Sequence, residues 1–430
     1  MTETVHIAGI GGVGMSALAQ ALLDAGVSVT GSDRLLDKGD RTETLIRLER
    51  QGVRLFPQDG SGLNEAVSRL VVSSAIESDN PDLLSAGRLG IPSVHRAAEL
   101  AHAVSGRRLC AVTGTCGKST VTAMLGHLLA ETGFDPLVVN GASVAGWDLG
   151  GTRIGSVRPG KGEWAVIEAD ESDKSLMVFR PDAVIVTNAS SDHFAREEAD
   201  RLFDTFGERA QGRLVDGRHD TADNLFPGGF ILDGMRFTVP MPGLHNAANA
   251  RLAVRMARLL GVPFDALPPA LLRFKGVVRR LQQIGSCNRA KVVDDYAHNP
   301  EKLAAAWTTL QQEAPDGVIG VWRPHGFGPL RKMMGDLAVM FIRVLRPCDT
   351  LLLLPVYDAG GTADRSVESG TLAEQLAGKA SGTVLCVPDI ASAEAEMRAR
   401  ARQGRALATL GARDPDLPRL AARLADKFDW

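Results

Sequence analysis

The sequence predicts an α/β protein of three domains, and three observations carry that prediction. Short apolar runs alternate with helical periodicity from Val5 onward, the pattern of strands and crossover helices in parallel sheets. The pattern opens afresh at 5–10, at 109–113 and around 290–293, and Gly and charged residues crowd the joints at 105–108 and 275–280. A chain of 430 residues also exceeds one domain at the usual ~100–200 residues each. The expected domains are 1–107, 108–281 and 282–430.

Composition narrows the function classes. A 44% hydrophobic and 23% charged chain has the balance of a globular protein rather than a disordered one. The formal net charge of −3 supplies no basic field for a nucleic-acid backbone or an anionic membrane, so neither partner is expected. Five scattered cysteines (Cys110, Cys116, Cys287, Cys348, Cys386) show no C-x-x-C spacing, which argues against a disulfide framework or a zinc ribbon and for a reducing compartment. Residues 4–23 carry no formal charge and approach the length of a membrane span. Four glycines interrupt them, Glu3 precedes them and Asp24 ends them, so a cytoplasmic protein without an export signal is expected.

The first block opens on a strand followed by Gly9-Ile10-Gly11-Gly12-Val13-Gly14. This fits G-x-G-x-x-G and leads into a helix with an apolar face of Met15, Leu18, Ala19, Leu22 and Leu23. Glycine is needed where backbone approaches a pyrophosphate, and the helix N-terminus behind it favours negative charge. Asp33 ends the next strand, nineteen residues after Gly14, where a ribose-binding carboxylate would stand. On these residues NAD and another nucleotide diphosphate such as UDP fit alike, and a tight turn with no ligand is the plainer alternative.

The second block opens on the strand 109–113. It continues through Gly114-Thr115-Cys116-Gly117-Lys118-Ser119-Thr120 into a helix with apolar Val121, Met124, Leu125, Leu128 and Leu129. Strict Walker spacing would place glycine where Val112 stands, so this is a shortened phosphate loop. Its backbone N–H groups can cradle phosphates, Lys118 supplies a point charge, and the Ser119 or Thr120 hydroxyl can ligate Mg²⁺. Loss of Lys118 is expected to stop the chemistry at little cost to the fold. The strand 164–167 ends in Glu168-Ala169-Asp170-Glu171-Ser172-Asp173, and the strand 183–187 runs into Asn188 and then Asp192-His193. Ligands of open α/β sheets gather at strand C-termini, so Lys118, Glu168 and His193 are expected at one nucleotide, with Ser119, Glu168 and His193 about the metal. Alone, the acidic run reads as a solvated loop and His193 as a surface histidine.

Later motifs complete the set. Asn246 and Asn249 lie i and i+3 on a predicted helix, where both amides can read an adenine edge, while a helix cap is the plain alternative for Asn246. Arg279 and Arg280 suit phosphate or an ordinary charged linker. Asn299-Pro300 reads as a helix cap and first turn, which leaves Asp295 at the preceding strand end as the better nucleotide contact.

As an ordered set covering essentially the whole chain, these motifs resemble the Mur ligase superfamily. They are Gly9 to Ser16 with Gly31-Ser32-Asp33, Val71-Val72-Ser73-Ser74-Ala75-Ile76, the 168–173 run, Gly243-Leu244-His245-Asn246-Ala247-Ala248-Asn249, Gly276-Val277-Val278-Arg279-Arg280 and Asp294-Asp295-Tyr296-Ala297-His298-Asn299-Pro300. The similarity is greatest to its alanine-adding members. It implies a Rossmann-like N-terminal domain, a central P-loop ATPase-like domain and a Rossmann-like C-terminal domain. It further implies a UDP-sugar, not NAD, at Gly11, Gly12, Val13, Gly14, Asp33 and Ser74. ATP is implied at Gly114, Thr115, Cys116, Gly117, Lys118, Ser119 and Thr120, with His245, Asn246, Asn249, Arg280 and Asp295. Lys118, Glu168, His193 and Arg280 form the implied catalytic set.

The implied reaction uses ATP and Mg²⁺ to make an acyl phosphate, which an amine then attacks to leave an amide. The implied product is the L-alanyl bond on UDP-N-acetylmuramate in peptidoglycan precursor synthesis, with domain closure around one nucleotide. The incoming amine is assigned to the region of His298, Arg323, His325 and Arg331. This sequence has Cys116 where the family has His, Lys or Asn, Arg413 where it has Gly, a differently written 323–331 segment and a shorter stretch between His193 and Pro242. A Mur-like ligase on another carboxylate and amine, a non-catalytic nucleotide-binding relative and an NAD oxidoreductase are the alternatives.

Overall fold

The computed structural model describes residues 3–189, 196–210, 212–221, 223–358 and 364–425. It divides into two compact units, Met1–Pro240 with Asn246–Val278, and Met241–His245 with Arg279–Trp430.

The first unit opens with five parallel strands, β1 (Thr4–Ala8), β2 (Ser28–Ser32), β3 (Arg54–Phe56), β4 (Arg69–Val72) and β5 (Ser93–His95), in the order β3-β2-β1-β4-β5. A parallel strand covered on both faces must be apolar on both, and Val5, Ile7 and Ala8 are fully buried. The strand order reverses at β1, so the glycine loop that follows it opens at the switch point of the sheet.

A second sheet holds β6 (Arg108–Thr113), β7 (Leu137–Val139), β8 (Val157–Arg158), β9 (Trp164–Glu168), β10 (Ala183–Val186) and β11 (Leu214–Asp216), in the order β11-β10-β6-β9-β7-β8. Only β8 runs antiparallel to its neighbour. Because β6 lies between β10 and β9, their C-terminal ends bring Thr187-Asn188 and Glu168 beside the loop that leaves β6. That loop enters the helix Lys118–Glu131, whose Val121, Met124, Leu125, Leu128 and Leu129 are all buried, as their helical spacing predicts. Within the shorter stretch between His193 and Pro242, the described residues hold the helix Arg196–Gly207, β11 and a small antiparallel sheet. That sheet comprises β12 (Leu225–Phe226), β13 (Gly229–Leu232) and β14 (Met235–Thr238), with the Phe230 and Phe237 rings stacked 4.7 Å apart.

The first two sheets share one hydrophobic core. Met15, Leu18, Leu22, Leu100 and Val104 belong to the same buried cluster as Leu137, Ile154, Leu176 and Phe179. Polar contacts cross the same seam. The Ile154 N–H donates to Gln20 at 3.3 Å, Arg47 donates to the Arg153 carbonyl at 3.1 Å, and Arg153 pairs with Asp24.

The second unit is built on β15 (Gln282–Cys287), β16 (Ala290–Asp295), β17 (Val318–Trp322), β18 (Thr350–Leu353), β19 (Thr383–Cys386) and β20 (Ala406–Leu410), in the order β15-β16-β20-β17-β18-β19. All are parallel except β15, the antiparallel hairpin partner of β16. Trp307, Trp322 and Phe341 fill the core on one face. No helix among the described residues is long and apolar enough to cross a membrane.

Asp349, 1% exposed, organises one end of this sheet. Its carboxylate accepts from the Val318 N–H at 2.8 Å, the Arg346 N–H at 2.9 Å and Gln311 Nε2 at 2.6 Å. Burial works to raise its pKa, but these donors and the Arg346 guanidinium hold it below the usual carboxylate range. A depressed pKa means that the stabilisation is present above the unfolded-state value and is lost as pH falls through the folded-state value. Asp349→Ala is expected to remove about 3 kcal/mol from the urea unfolding free energy of this unit at neutral pH. The gap to the parent should narrow in acid, and a gap that is absent, or constant with pH, would refute this role.

Candidate active site

The phosphate loop is held from beneath by the end of β10. The Thr115 N–H donates to the Asn188 carbonyl at 3.2 Å and the Cys116 N–H to Asn188 Oδ1 at 2.9 Å, while the Cys116 carbonyl accepts from Thr187 Oγ1 at 2.6 Å and Asn188 Nδ2 at 2.9 Å. Two glycines make the turn possible. Gly114 (φ +122°) would carry its Cβ into Thr187, and Gly117 (φ +85°) would carry its Cβ against Asn249 Oδ1, so a side chain is excluded at both by conformation and by space. Asn249 therefore lies against the phosphate loop, and Asn246, one turn earlier on the helix Leu244–Leu259, is likewise buried. Ser119 and Thr120 are buried in the first turn of the loop's helix.

Lys118 Nζ donates to the Gly114 carbonyl at 2.8 Å and to Glu171 Oε2 at 2.6 Å. The pair is almost dry, with the two side chains 13% and 4% exposed. Burial opposes the charge on each, yet the surrounding carboxylates of Glu171, Glu168 and Asp170 keep the Lys118 pKa above its ordinary value. For Glu171 burial prevails and raises the pKa despite Lys118. Glu168 Oε2 accepts the Gly141 N–H at 2.8 Å. Among the described residues no three His, Cys, Asp or Glu side chains cluster as a metal cage. His193 lies outside the described residues.

In the first sheet, Gly12 caps the helix Val13–Asp24 by backbone alone, Val13 is half exposed, and Gly14 lies under the Arg96 guanidinium. Asp33 is more engaged than a free ribose acceptor. One carboxylate oxygen takes the Gly11 N–H at 2.8 Å and the other the Leu35 N–H at 3.0 Å, so it braces the glycine loop and caps the short helix Arg34–Asp37. Ser74 Oγ donates to Asp173 Oδ2 at 3.2 Å.

The second unit carries the remaining sequence candidates. Asp295 is buried, and its two oxygens accept the Leu281 N–H at 2.6 Å and the Ala297 N–H at 2.7 Å. Here it braces the 279–281 turn, where the sequence suggested a nucleotide contact. Asn299 caps the helix Pro300–Glu313 through the Lys302 N–H at 2.9 Å, as its Asn-Pro pairing predicts. Arg279 pairs with Asp294 at 3.0 Å, and Arg280 stacks on Tyr296 at 5.2 Å. His298 and His325 meet edge to face at 4.9 Å. His298 Nδ1 donates to the Tyr296 carbonyl at 2.9 Å, and burial with Lys302 and its other cationic neighbours pushes its pKa down to about 3. That leaves a neutral ring with Nε2 as an acceptor at physiological pH.

His298, His325, Tyr296 and Arg280 thus form one group. Arg323 instead pairs with buried Asp414 at 2.9 Å, and Arg331 is exposed and pairs with Asp364 at 2.8 Å, so both have structural partners of their own. His245 belongs to the second unit, beside Gly243 and Thr309.

Three family models match in order: "Mur ligase family, catalytic domain" at residues 4–108, "Mur ligase middle domain" at 112–199 and "Mur ligase, glutamate ligase domain" at 279–413. The chain belongs to the Mur ligase family. This makes it an ATP-dependent acid–amino-acid ligase. Curated relatives agree. A UDP-N-acetylmuramate–L-alanine ligase of Methylorubrum populi is 32% identical over 415 residues, 86% of each chain. Another of that name from Dinoroseobacter shibae is 33% identical over 454 residues, 95% of this chain and 94% of that one. The fold matches the UDP-N-acetylmuramate–alanine ligase MurC of Thermotoga maritima with a TM-score of 0.78 at 22% identity, covering 98% of both chains. It also matches a murein peptide ligase of Psychrobacter arcticus, with a TM-score of 0.67 at 20% identity over the full length of both.

Sequence reasoning singled out Glu168 from the acidic run of this Mur ligase and passed over Glu171, the carboxylate that meets Lys118. The run itself was the only signal. It also left Thr187 and Asn188 unassigned, although small polar residues directly after an apolar strand are the natural props for a neighbouring loop. The Lys118–Glu171 pair also corrects the expectation that losing Lys118 spares the fold, because it would leave a carboxylate buried without its partner. Lys118→Met is expected to cost about 3 kcal/mol in chemical unfolding, and adding Glu171→Gln should recover most of it. Equal stability of the single variant and the parent would show that the pair carries no structural weight.

Proposed function

We propose that this Mur ligase joins L-alanine to the carboxylate of UDP-N-acetylmuramate with cleavage of ATP to ADP, a step of peptidoglycan precursor synthesis in the cytoplasm. The observation that carries the reading is the phosphate loop with Lys118 in a chain that aligns over almost its whole length with ligases of that name. The γ-phosphoryl group of ATP passes to the substrate carboxylate, giving an acyl phosphate and ADP. The amine nitrogen then attacks the acyl carbon, and the tetrahedral intermediate expels phosphate and leaves the amide.

Lys118 moves from Glu171 to the phosphates and offsets the charge of the transferred group. The loop amides from Gly114 to Thr120 cradle the same phosphates, and Asn246 and Asn249 lie along the adenine side. The glycine loop from Gly11 to Gly14, with Asp33 bracing it and Ser74 across from it, takes the sugar nucleotide. Arg280 serves phosphate, and the His298–His325 group takes the amine. These roles divide the chain into three domains, 1–107 for the sugar nucleotide, 108–281 for ATP and 282–430 for the amine.

The donors in reach of the phosphate loop, the Ser119 hydroxyl and the Glu168 carboxylate, are hard oxygens suited to Mg²⁺, and phosphate oxygens would complete such a shell. These two residues, with His193, would hold it, and it would supply charge neutralisation on the phosphoryl oxygens.

ADP release across a panel of UDP-sugars and amino acids tests the substrate pair. Turnover is expected only when UDP-N-acetylmuramate and L-alanine are both present, with a product heavier by one alanyl residue. Turnover with a preformed peptide and none with L-alanine would overturn it. For the metal, Glu168→Gln is expected to raise the Mg²⁺ concentration for half-maximal activity about tenfold, with the KM for UDP-N-acetylmuramate unmoved. A shift confined to the sugar KM would remove Glu168 from the metal.

A further inference from the structure

One short turn touches both substrate sides of the first unit. Asp173 Oδ2 accepts from Ser74 Oγ at 3.2 Å and faces His95 Nε2 at 3.5 Å, both at the C-terminal edge of the first sheet. His95 Nδ1 accepts the Ala97 N–H at 3.3 Å and so caps the helix Arg96–Ala103, which places the ring proton on Nε2, facing Asp173. Two residues before Asp173, Glu171 holds Lys118 at 2.6 Å.

The segment between them is stiff. The Glu171 carbonyl accepts the Lys174 N–H at 2.9 Å, Asp173 Oδ1 accepts the Ser175 N–H at 2.9 Å, and Ser172 donates to Asp170 through both its N–H and its hydroxyl. A shift at Asp173 is therefore carried to Glu171 rather than absorbed between them.

We propose that Asp173 is a positioning residue that links a ligand at Ser74 to the release of Lys118. This rests on the reading above, in which Ser74 meets the sugar nucleotide and Lys118 meets ATP. A serine hydroxyl has one proton to donate. A sugar-nucleotide oxygen that takes it from Asp173 leaves His95 as the remaining side-chain contact between Asp173 and the first sheet, so the 171–174 turn is held less tightly and Glu171 gives up Lys118 at lower cost. The two ligands thus favour one another, and by linkage each strengthens the other by the same factor. A purely structural role for Asp173 predicts the opposite sign, because its loss would weaken nucleotide binding.

The test is calorimetry on the full chain with Mg²⁺ and a β,γ-imido analogue of ATP, with and without saturating UDP-N-acetylmuramate. In the parent, the sugar nucleotide is expected to tighten the analogue about fivefold or more. Asp173→Ala is expected to bind the analogue more tightly than the parent when the sugar is absent, with the coupling factor falling to near one. His95→Asn keeps a helix-capping acceptor but no longer reaches Asp173, so it should shift both quantities the same way, and it decides the matter if Asp173→Ala does not fold. Parent-like coupling in the variants, or weaker analogue binding, overturns the proposal. A parent that binds both ligands without coupling overturns it while leaving the functional reading intact. A parent that binds neither overturns both.

Discussion

Loops that leave the C-terminal edge of a parallel sheet abandon its ladder, and their N–H groups must be paired by something else. In this protein carboxylates do much of that pairing. Asp33 takes the N–H groups of Gly11 and Leu35, Asp295 those of Leu281 and Ala297, and Glu168 that of Gly141, while at the opposite edge, where β17 and β18 enter their sheet, Asp349 takes those of Val318 and Arg346. A buried unpaired amide is costly, and an ionised acceptor makes a stronger bond than a neutral one, so each acid fixes a turn that its strand alone would leave loose. The phosphate loop is the exception, propped by the Asn188 amide and the Thr187 hydroxyl. Neutral props leave the local positive character of the loop intact for an anionic ligand.

The same device explains where the sequence could be read and where it could not. Strand, glycine loop and helix follow from local pattern, and β1, β6 and their helices lie where apolar runs and 3.6-residue spacing place them. The Asn299 cap was equally plain, because Asn-Pro at a helix start has few other uses. An aspartate at a strand end is a different matter. It suits a ligand's hydroxyl and a loop's N–H alike, and only coordinates show that both oxygens of Asp33 and of Asp295 are taken by backbone. The acidic run 168–173 concealed a division of labour for a related reason. Adjacent residues point in different directions, so Glu168 turns to Gly141, Glu171 to Lys118 and Asp173 to Ser74, and spacing alone does not assign these partners.

The second unit uses charge differently. Its arginines are mostly committed, Arg279 to Asp294, Arg323 to Asp414 and Arg346 to Asp349. Arg280 shares the Tyr296 face with Arg279, with the His298–His325 pair beside that ring, and has no ion pair of its own among the described residues. Guanidinium groups hydrogen-bonded to buried acids shape the fold, whereas Arg280, which lies over a ring and meets the charge of buried Asp295 only through space, can be recruited by an incoming anion at lower cost.

The core common to the first two sheets bears on how such a chain can be taken apart. Leu100 and Val104 from the first sheet's helices belong with Leu176 and Phe179 from beyond the second, and Gln20 bonds the backbone at Ile154. A fragment cut at residue 107 would present that apolar seam to water and tend to aggregate, however complete its strand order. Recombination that exchanges the N-terminal sheet among related enzymes would have to carry the matching face of its neighbour with it, so the two sheets are expected to be inherited together.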